Sequence, residues 1–198
     1  MKILQLRELI RSGTFPDSEL RTQIFIEIRE SIICVKWPPG SDKFTLYPEK
    51  HRNGVTTIKK GCMEFLREKG WQLEQRVDLG NRLKSGKVDA VKTLPDGRFF
   101  ALEWETGNIS SSHRALNKLA IGLLDNLLAG GVLVLPSRAM YNYLTDRVGN
   151  YDEIRPYFPV WECLQIPDGL LAVIEIEHDE LSLSVPVIGK GTDGRALR

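Results

Sequence analysis

The segment from Lys87 to Trp104 constrains this chain more than any other. Two β-forming runs, Lys87 to Leu94 and Arg98 to Trp104, flank Pro95-Asp96-Gly97, and that turn chemistry predicts a hairpin. Acids stand inside these apolar runs at Asp89, Glu103 and Glu105, where they are costly unless a cation or a donor compensates them. Glu103 and Glu105 are two apart, hence on one face of a strand. Loop length decides whether Asp89 joins them. A three-residue loop pairs Leu94 with Arg98 and Asp89 with Glu103, whereas a two-residue Asp96-Gly97 loop pairs Asp89 with Trp104 and scatters the acids. Proline suits the first position of a type I turn and Gly97 the left-handed position after it, which favours the longer loop.

Three converging carboxylates repel one another, and a hard divalent cation resolves the conflict. All-oxygen ligation favours Mg²⁺, which keeps several waters and bridges carboxylates to substrate phosphate. The competing reading is a solvated acidic face paired with Lys87 or Lys92. Glu74, in the run Trp71 to Arg76, adds a fourth carboxylate or is a surface residue. From Lys59 to Arg98 there are ten Lys or Arg against six acids, although the whole chain nets only +1. A carboxylate cluster in a locally positive neighbourhood suits phosphodiester cleavage, with basic side chains holding flanking phosphates.

Around this hairpin the 198 residues, 42% of them apolar, read as one domain with a sizeable core. Leu20, Ile24, Ile28 and Ile32 predict a helix over 17–34, stopped by Trp37-Pro38-Pro39-Gly40, and a second apolar stripe predicts a helix over 55–69 ending at Gly70. A long helix is expected over 112–129, capped by Ser110 to Ser112 and ended by Gly130-Gly131, then a buried strand from Val132 to Leu135. Ser137 to Thr145 reads as a short helix, Tyr151 to Pro159 as irregular, and Leu171 to Glu177 and Leu181 to Ile188 as strands. Gly189 to Arg198 has too few apolar residues to pack and is expected to be a mobile tail. The sheet is expected to begin near Trp71, giving an α/β or α+β layer domain.

The apolar stretches are far too short to span a bilayer, and Met1 to Ile10 has no continuous apolar run like a secretory signal's, so no membrane partner and a cytoplasmic location are expected. Cys34, Cys62 and Cys163 form no CxxC pair and read as buried, inert thiols. Asn108, Ser110, Arg114, Asp146 and Arg147 carry the forked or short hydrogen-bonding groups of a major-groove reader, although capping and ion pairing are the commoner uses of Ser110, Asp146 and Arg147. Ser111, His113 and Asp146 suggest a hydrolase triad only superficially, because no nucleophile elbow supports it.

Glu103-Trp104-Glu105-Thr106-Gly107-Asn108-Ile109-Ser110-Ser111, with His113-Arg114, Asn117-Lys118-Leu119 and Tyr143-Leu144-Thr145-Asp146-Arg147-Val148, resembles the BamHI-type restriction endonucleases. Weaker echoes are Trp37-Pro38, Asn53-Gly54-Val55 with Ile58-Lys59, Pro156-Tyr157-Phe158, and Lys190-Gly191 with Asp193-Gly194. The resemblance covers most of residues 36–158 and the tail. It implies a central mixed sheet flanked by helices, the restriction-endonuclease-like core of the PD-(D/E)XK superfamily. It further implies a prokaryotic, homodimeric type II endonuclease of a restriction-modification system that cuts both strands of a palindromic duplex, GGATCC after the first G, with Mg²⁺.

By that match Asp89 and Glu103 hold metal, Glu74 contributes to a second metal position and Glu105 helps activate the attacking water. Asn108, Ser110, Arg114, Asp146 and Arg147 read bases, Lys59 lies near the substrate backbone, and Asp193 reaches the minor groove. Helix 112–129 and the one after Pro136 form the dimer bundle. Glu105 stands where the wider superfamily usually has lysine, and Leu124 and Asp125 replace charged or titratable bundle positions. The alternatives are a sequence-specific DNA-binding protein without cleavage and a phosphohydrolase of small substrates. Retention of all four acids disfavours the first, and the reader set disfavours the second.

Overall fold

The structure, a computed structural model, describes residues 1–55, 57–75 and 87–190. Along the chain its strands are β1 (Lys2–Ser12), β2 (Thr45–Leu46), β3 (Gln72–Gln75), β4 (Val88–Thr93), β5 (Phe99–Trp104), β6 (Leu128–Pro136), β7 (Gly169–Glu177) and β8 (Glu180–Leu181). The helices are α1 (Glu19–Ile33), α2 (Lys60–Glu68), α3 (Ile109–Leu124), α4 (Arg138–Tyr141), α5 (Tyr151–Ile154) and α6 (Phe158–Glu162). Six strands make one mixed sheet in the order β1-β7-β6-β5-β4-β3. Its middle, β5, β6 and β7, is parallel, and both ends are antiparallel.

Side chains that alternate along a strand go to opposite faces. Phe100, Leu102 and Trp104 therefore join one core with Ile24, Ile28 and Ile32 of α1 and Leu66 of α2. Ala101, Leu133 and Leu135 join the other with Leu116, Leu119 and Leu123 of α3 and Trp161 of α6. Helices thus cover both faces of the mixed sheet, as expected from the sequence. The parallel β5 and β6 are joined through α3, the usual crossover for such a pair. The odd-numbered residues of β5 point towards α3: Ala101 packs in the core with its leucines and Glu103 meets Lys118.

Several elements depart from the sequence expectation. The sheet begins at β1, not near Trp71: β1 is an edge strand whose buried side chains include only Leu9 and Ile10, too few to give a period. The long helix stops at Leu124, because Asn126 adopts a left-handed conformation (φ 53°) and turns the chain. Gly130 and Gly131 lie instead within β6, where a Cβ on Gly130 would sit 2.4 Å from the Phe100 ring. The stretch from Tyr151 is helical, since Asn150 caps α5 and Pro156 and Pro159 occupy first-turn positions.

Beyond Leu181 the alternating residues do not form a strand. Leu183 is 75% exposed, and Ser182 Oγ accepts from Ser184 N at 3.1 Å, bending the backbone locally. Gly189 and Lys190 are not free of the body, because their backbone closes over Gly54; the remainder of the expected tail, Asp193 included, lies outside the described residues. Of the cysteines only Cys62 is buried, and burial pushes its thiol up to about 12. Cys34 and Cys163 are exposed at helix C-termini, where each thiol donates three residues back, to Ser31 O and Val160 O. Among the described residues no helix is long and apolar enough to cross a membrane.

Candidate active site and nucleic-acid interface

The hairpin has the three-residue loop. Leu94 N donates to Arg98 O at 2.8 Å, and Ala90 opposes Leu102 in β5, a register that places Asp89 opposite Glu103. Asp89 N donates to Glu103 Oε2 at 3.3 Å, while Asp89 Oδ2 accepts from Trp104 N at 2.9 Å. Both carboxylates open into a cleft of about 410 Å³ that is also lined by Glu105, Lys59, Lys87, Ser111, Arg114 and Lys118.

Two ammonium groups compensate the acids. Lys59, just before α2, donates to Asp89 Oδ1 at 2.6 Å. Lys118, on the sheet-facing side of α3, pairs with Glu103 Oε1 and donates to Lys87 O at 2.8 Å. Burial pushes the Glu103 carboxyl up, the Lys118 charge and hydrogen bond oppose that, and the neighbouring Asp89 charge adds to it. Lys59, expected from the resemblance near a substrate backbone, therefore lies on an acid of the cleft. Lys118 was not singled out as a site residue from sequence. The signal was there, since Ser111, Arg114 and Lys118 recur at helical spacing on one face.

Glu105 follows β5 and keeps its edge through a hydrogen bond from Glu105 N to Val134 O of 3.1 Å. Its Oε1 accepts from Gly107 N at 2.6 Å, so it lines the cleft with its carboxylate turned to the loop. Glu74 lies across from Asp89 in the β3–β4 register, but it has a left-handed backbone (φ 53°), is not part of the cleft lining, and stands 3.9 Å from Lys87 Nζ. Among the described residues no three His, Cys, Asp or Glu side chains come together as a metal cage. Asp89 and Glu103 do form an adjacent pair, each facing a cation, and Mg²⁺ commonly uses one or two carboxylates, with water and phosphate completing its shell. That donor set fits such an ion.

Of the residues expected to read bases, Arg114 lines the cleft and the others lie at the start of α3 and on the loop docked against it. Asn108 caps α3, its Oδ1 accepting from Ser111 N at 3.1 Å, and the Arg114 guanidinium donates to Ser111 Oγ at 3.2 Å. Asn108, Ser110, Arg114, Asp146 and Arg147 are all exposed. Gly149 N donates to Gly107 O at 2.8 Å, and a Cβ on Gly149 would lie 2.8 Å from Ser112 Oγ and 3.0 Å from Ile109 Cα. This close approach docks the loop bearing Asp146 and Arg147 onto the start of α3. Arg147 itself holds a left-handed backbone (φ 76°), which is strained for a residue with a Cβ. His113 turns away from Ser111 to pack on Tyr157 at 4.6 Å and Trp161 at 5.8 Å, so no triad forms.

A mixed sheet covered on both faces, with paired acids on a hairpin in its antiparallel part, defines a nuclease-like architecture. The fold is that of the restriction endonucleases: BglII complexed with a DNA 16-mer superposes with a TM-score of 0.62 at 12% identity, over 90% of this chain and 79% of that one. The family described as restriction endonuclease BamHI matches residues 1–195. Type II restriction enzyme OkrAI of Oceanobacter kriegii is 50% identical over 198 residues, 100% of both chains. Type II restriction enzyme BamHI of Bacillus amyloliquefaciens is 34% identical over 187 residues, 91% of this chain and 85% of the relative. The chain belongs to the BamHI restriction endonuclease family.

Proposed function

We propose that this protein is a single-domain type II restriction endonuclease which, as a homodimer with Mg²⁺, cuts both strands of a palindromic duplex, GGATCC after its first G. The observation that carries the reading is the pairing of Asp89 with Glu103 in one cleft that Arg114 of α3 also lines, with the 146–147 loop docked on the start of that helix. A small-substrate phosphohydrolase has no use for such a reader. The site sequence and cut position follow from the family resemblance.

Asp89 and Glu103 would hold the metal, and Glu74 would contribute to a second metal position. When bound, the ion neutralises charge on the scissile phosphate and makes water more acidic. Glu105 Oε1, now on Gly107 N, would accept the proton of the water that attacks phosphorus. Lys59 and Lys118, released from the carboxylates, would face the phosphate oxygens. Arg114 and Arg147 suit guanine, Asn108 suits adenine, Asp146 accepts from cytosine, and Ser110 fits either purine or pyrimidine edges. Asp193 would reach the minor groove.

A palindrome asks for a two-fold symmetric protein. Leu124 on α3 and Tyr157 and Val160 at α6 are 51%, 50% and 59% exposed. The two helices are tied together by Trp161 Nε1 donating to Asn117 Oδ1 at 3.0 Å. We therefore place the dimer bundle on α3 and α6 rather than on the helix after Pro136, since α4 is a single turn that leaves Arg138 and Ala139 exposed. The test is a plasmid with one GGATCC, incubated with the protein and Mg²⁺ or Ca²⁺. Linear product with Mg²⁺ alone supports the reading. Specific binding without cutting under either ion would replace it with a DNA-binding protein that lacks cleavage.

A further inference from the structure

Asn53 is fully buried although it lies in an irregular loop. Its Nδ2 donates to Tyr47 O at 2.8 Å and to Tyr143 O at 2.9 Å, and its Oδ1 accepts from Tyr47 N and Ile188 N, each at 3.4 Å. One amide thereby joins three segments that are distant in sequence. Its backbone continues the join: Asn53 N donates to Tyr143 O at 3.0 Å, Asn53 bridges Leu144, and Gly54 N donates to Ile188 O at 2.7 Å. Ile188 is itself fully buried.

Gly54 leaves no space for a side chain. A Cβ there would lie 2.0 Å from Gly189 O, 2.3 Å from Gly189 C and 2.5 Å from Lys190 Cα. All three are backbone atoms, so the conflict cannot be relieved by a rotamer. Leu144 is bridged to Asn53, and Asp146 is only two residues further along, a reach of about 7 Å at full extension. The C-terminal segment is therefore fastened next to the loop that carries Asp146 and Arg147.

We infer that Asn53 and Gly54 form a clamp that fixes the 186–190 segment to the 142–147 loop, making them positioning residues for DNA sequence discrimination although neither is a reader. The inference rests on the proposed reading of Asp146 and Arg147 as base contacts. In the clamped state the C-terminal chain and the reader loop keep one relative placement. Releasing the clamp lets the reader loop settle on imperfect sites.

Gly54→Ala is the sharper variant, because the glycine's backbone conformation is open to alanine and the closest clashes fall on the C-terminal segment. Hydrogen exchange of the free protein, followed at the Gly54 and 187–190 amides, tests the clamp without DNA. Equilibrium binding in Ca²⁺ to a GGATCC duplex and to duplexes changed at one base pair tests the consequence. The expected result is faster exchange confined to the clamp and a fall of about tenfold in the discrimination ratio, the worth of one misread base pair. Asn53→Asp, which keeps the acceptors and loses the Nδ2 donors, should act in the same direction. Unchanged exchange in Gly54→Ala overturns the clamp. Faster exchange with an unchanged ratio, including uniformly weaker binding to every duplex, overturns the role in discrimination. Wild-type protein that does not distinguish GGATCC at all would instead sink the proposed function while leaving the exchange result standing.

Discussion

Lys118 and Glu103 are 13% and 9% exposed at their side chains, so neither carries its charge cheaply without the other. Breaking a buried pair from one side leaves an uncompensated charge, and Lys118→Met should destabilise the fold by about 3–5 kcal/mol. Adding Glu103→Gln to that variant should recover most of the loss in a double-mutant cycle followed by urea unfolding. The same carboxylate has a proposed catalytic task that binding does not require. Glu103→Ala should lower cleavage by about three orders of magnitude or more while specific binding in Ca²⁺ persists; turnover near the wild-type rate would remove Glu103 from the metal site. Arg147 presents the reverse trade. Asparagine tolerates a left-handed backbone better than arginine, so Arg147→Asn should stabilise the fold by about 0.5–1 kcal/mol. Specific binding, measured by titration with labelled duplex, should nevertheless fall at least about tenfold as the proposed guanine contact is lost.

The hairpin, the two N-terminal helices and the parallel core strands were legible because their signals are local. Pro95-Asp96-Gly97 fixes its register within a few residues, and Ile24, Ile28 and Ile32 repeat at helical spacing. Features that depend on distant partners were not legible. Two turn signals competed at the end of α3, and Asn126 prevailed over Gly130-Gly131 because β6 needs small residues beside Phe100 and Leu119. Asn53 looks like an ordinary loop residue until Tyr143 and Ile188 are beside it. The acids of the site were recognisable in sequence, but the lysines that face them needed the packing of α2 and α3 on the sheet.

α1 is fastened to the same sheet by a second buried acid. Glu27 accepts from Trp71 Nε1 at 2.7 Å and from Lys92 Nζ at 2.5 and 2.7 Å. Burial alone would push its carboxyl up, but the hydrogen bonds from Lys92 and Trp71 hold it below the ordinary 4.5. A depressed carboxyl stabilises the fold above its unfolded pKa, and that contribution disappears as pH falls through the folded value. The urea midpoint should therefore drop between about pH 5 and 3 more steeply in the wild type than in Glu27→Gln.

As a whole the molecule is a sheet whose proposed catalytic acids lie in its antiparallel part, with the proposed reader and the proposed dimer face both built on α3. Cleaving both strands of a palindrome should depend on the exposed apolar residues of α3 and α6. Leu124→Glu combined with Val160→Asp should shift sedimentation from dimer to monomer and reduce double-strand cleavage, with circular dichroism unchanged because both side chains already face solvent. Chain order adds a consequence of its own. Among the described residues β1 pairs only with β7, and Gln5 meets Glu175 across 170 residues of sequence. On the ribosome β1 must wait for β7, so a nascent chain that already carries its acids and hairpin still lacks the far edge of the sheet. Closure of the sheet is thereby deferred until β7 has emerged, long after the acids themselves are made.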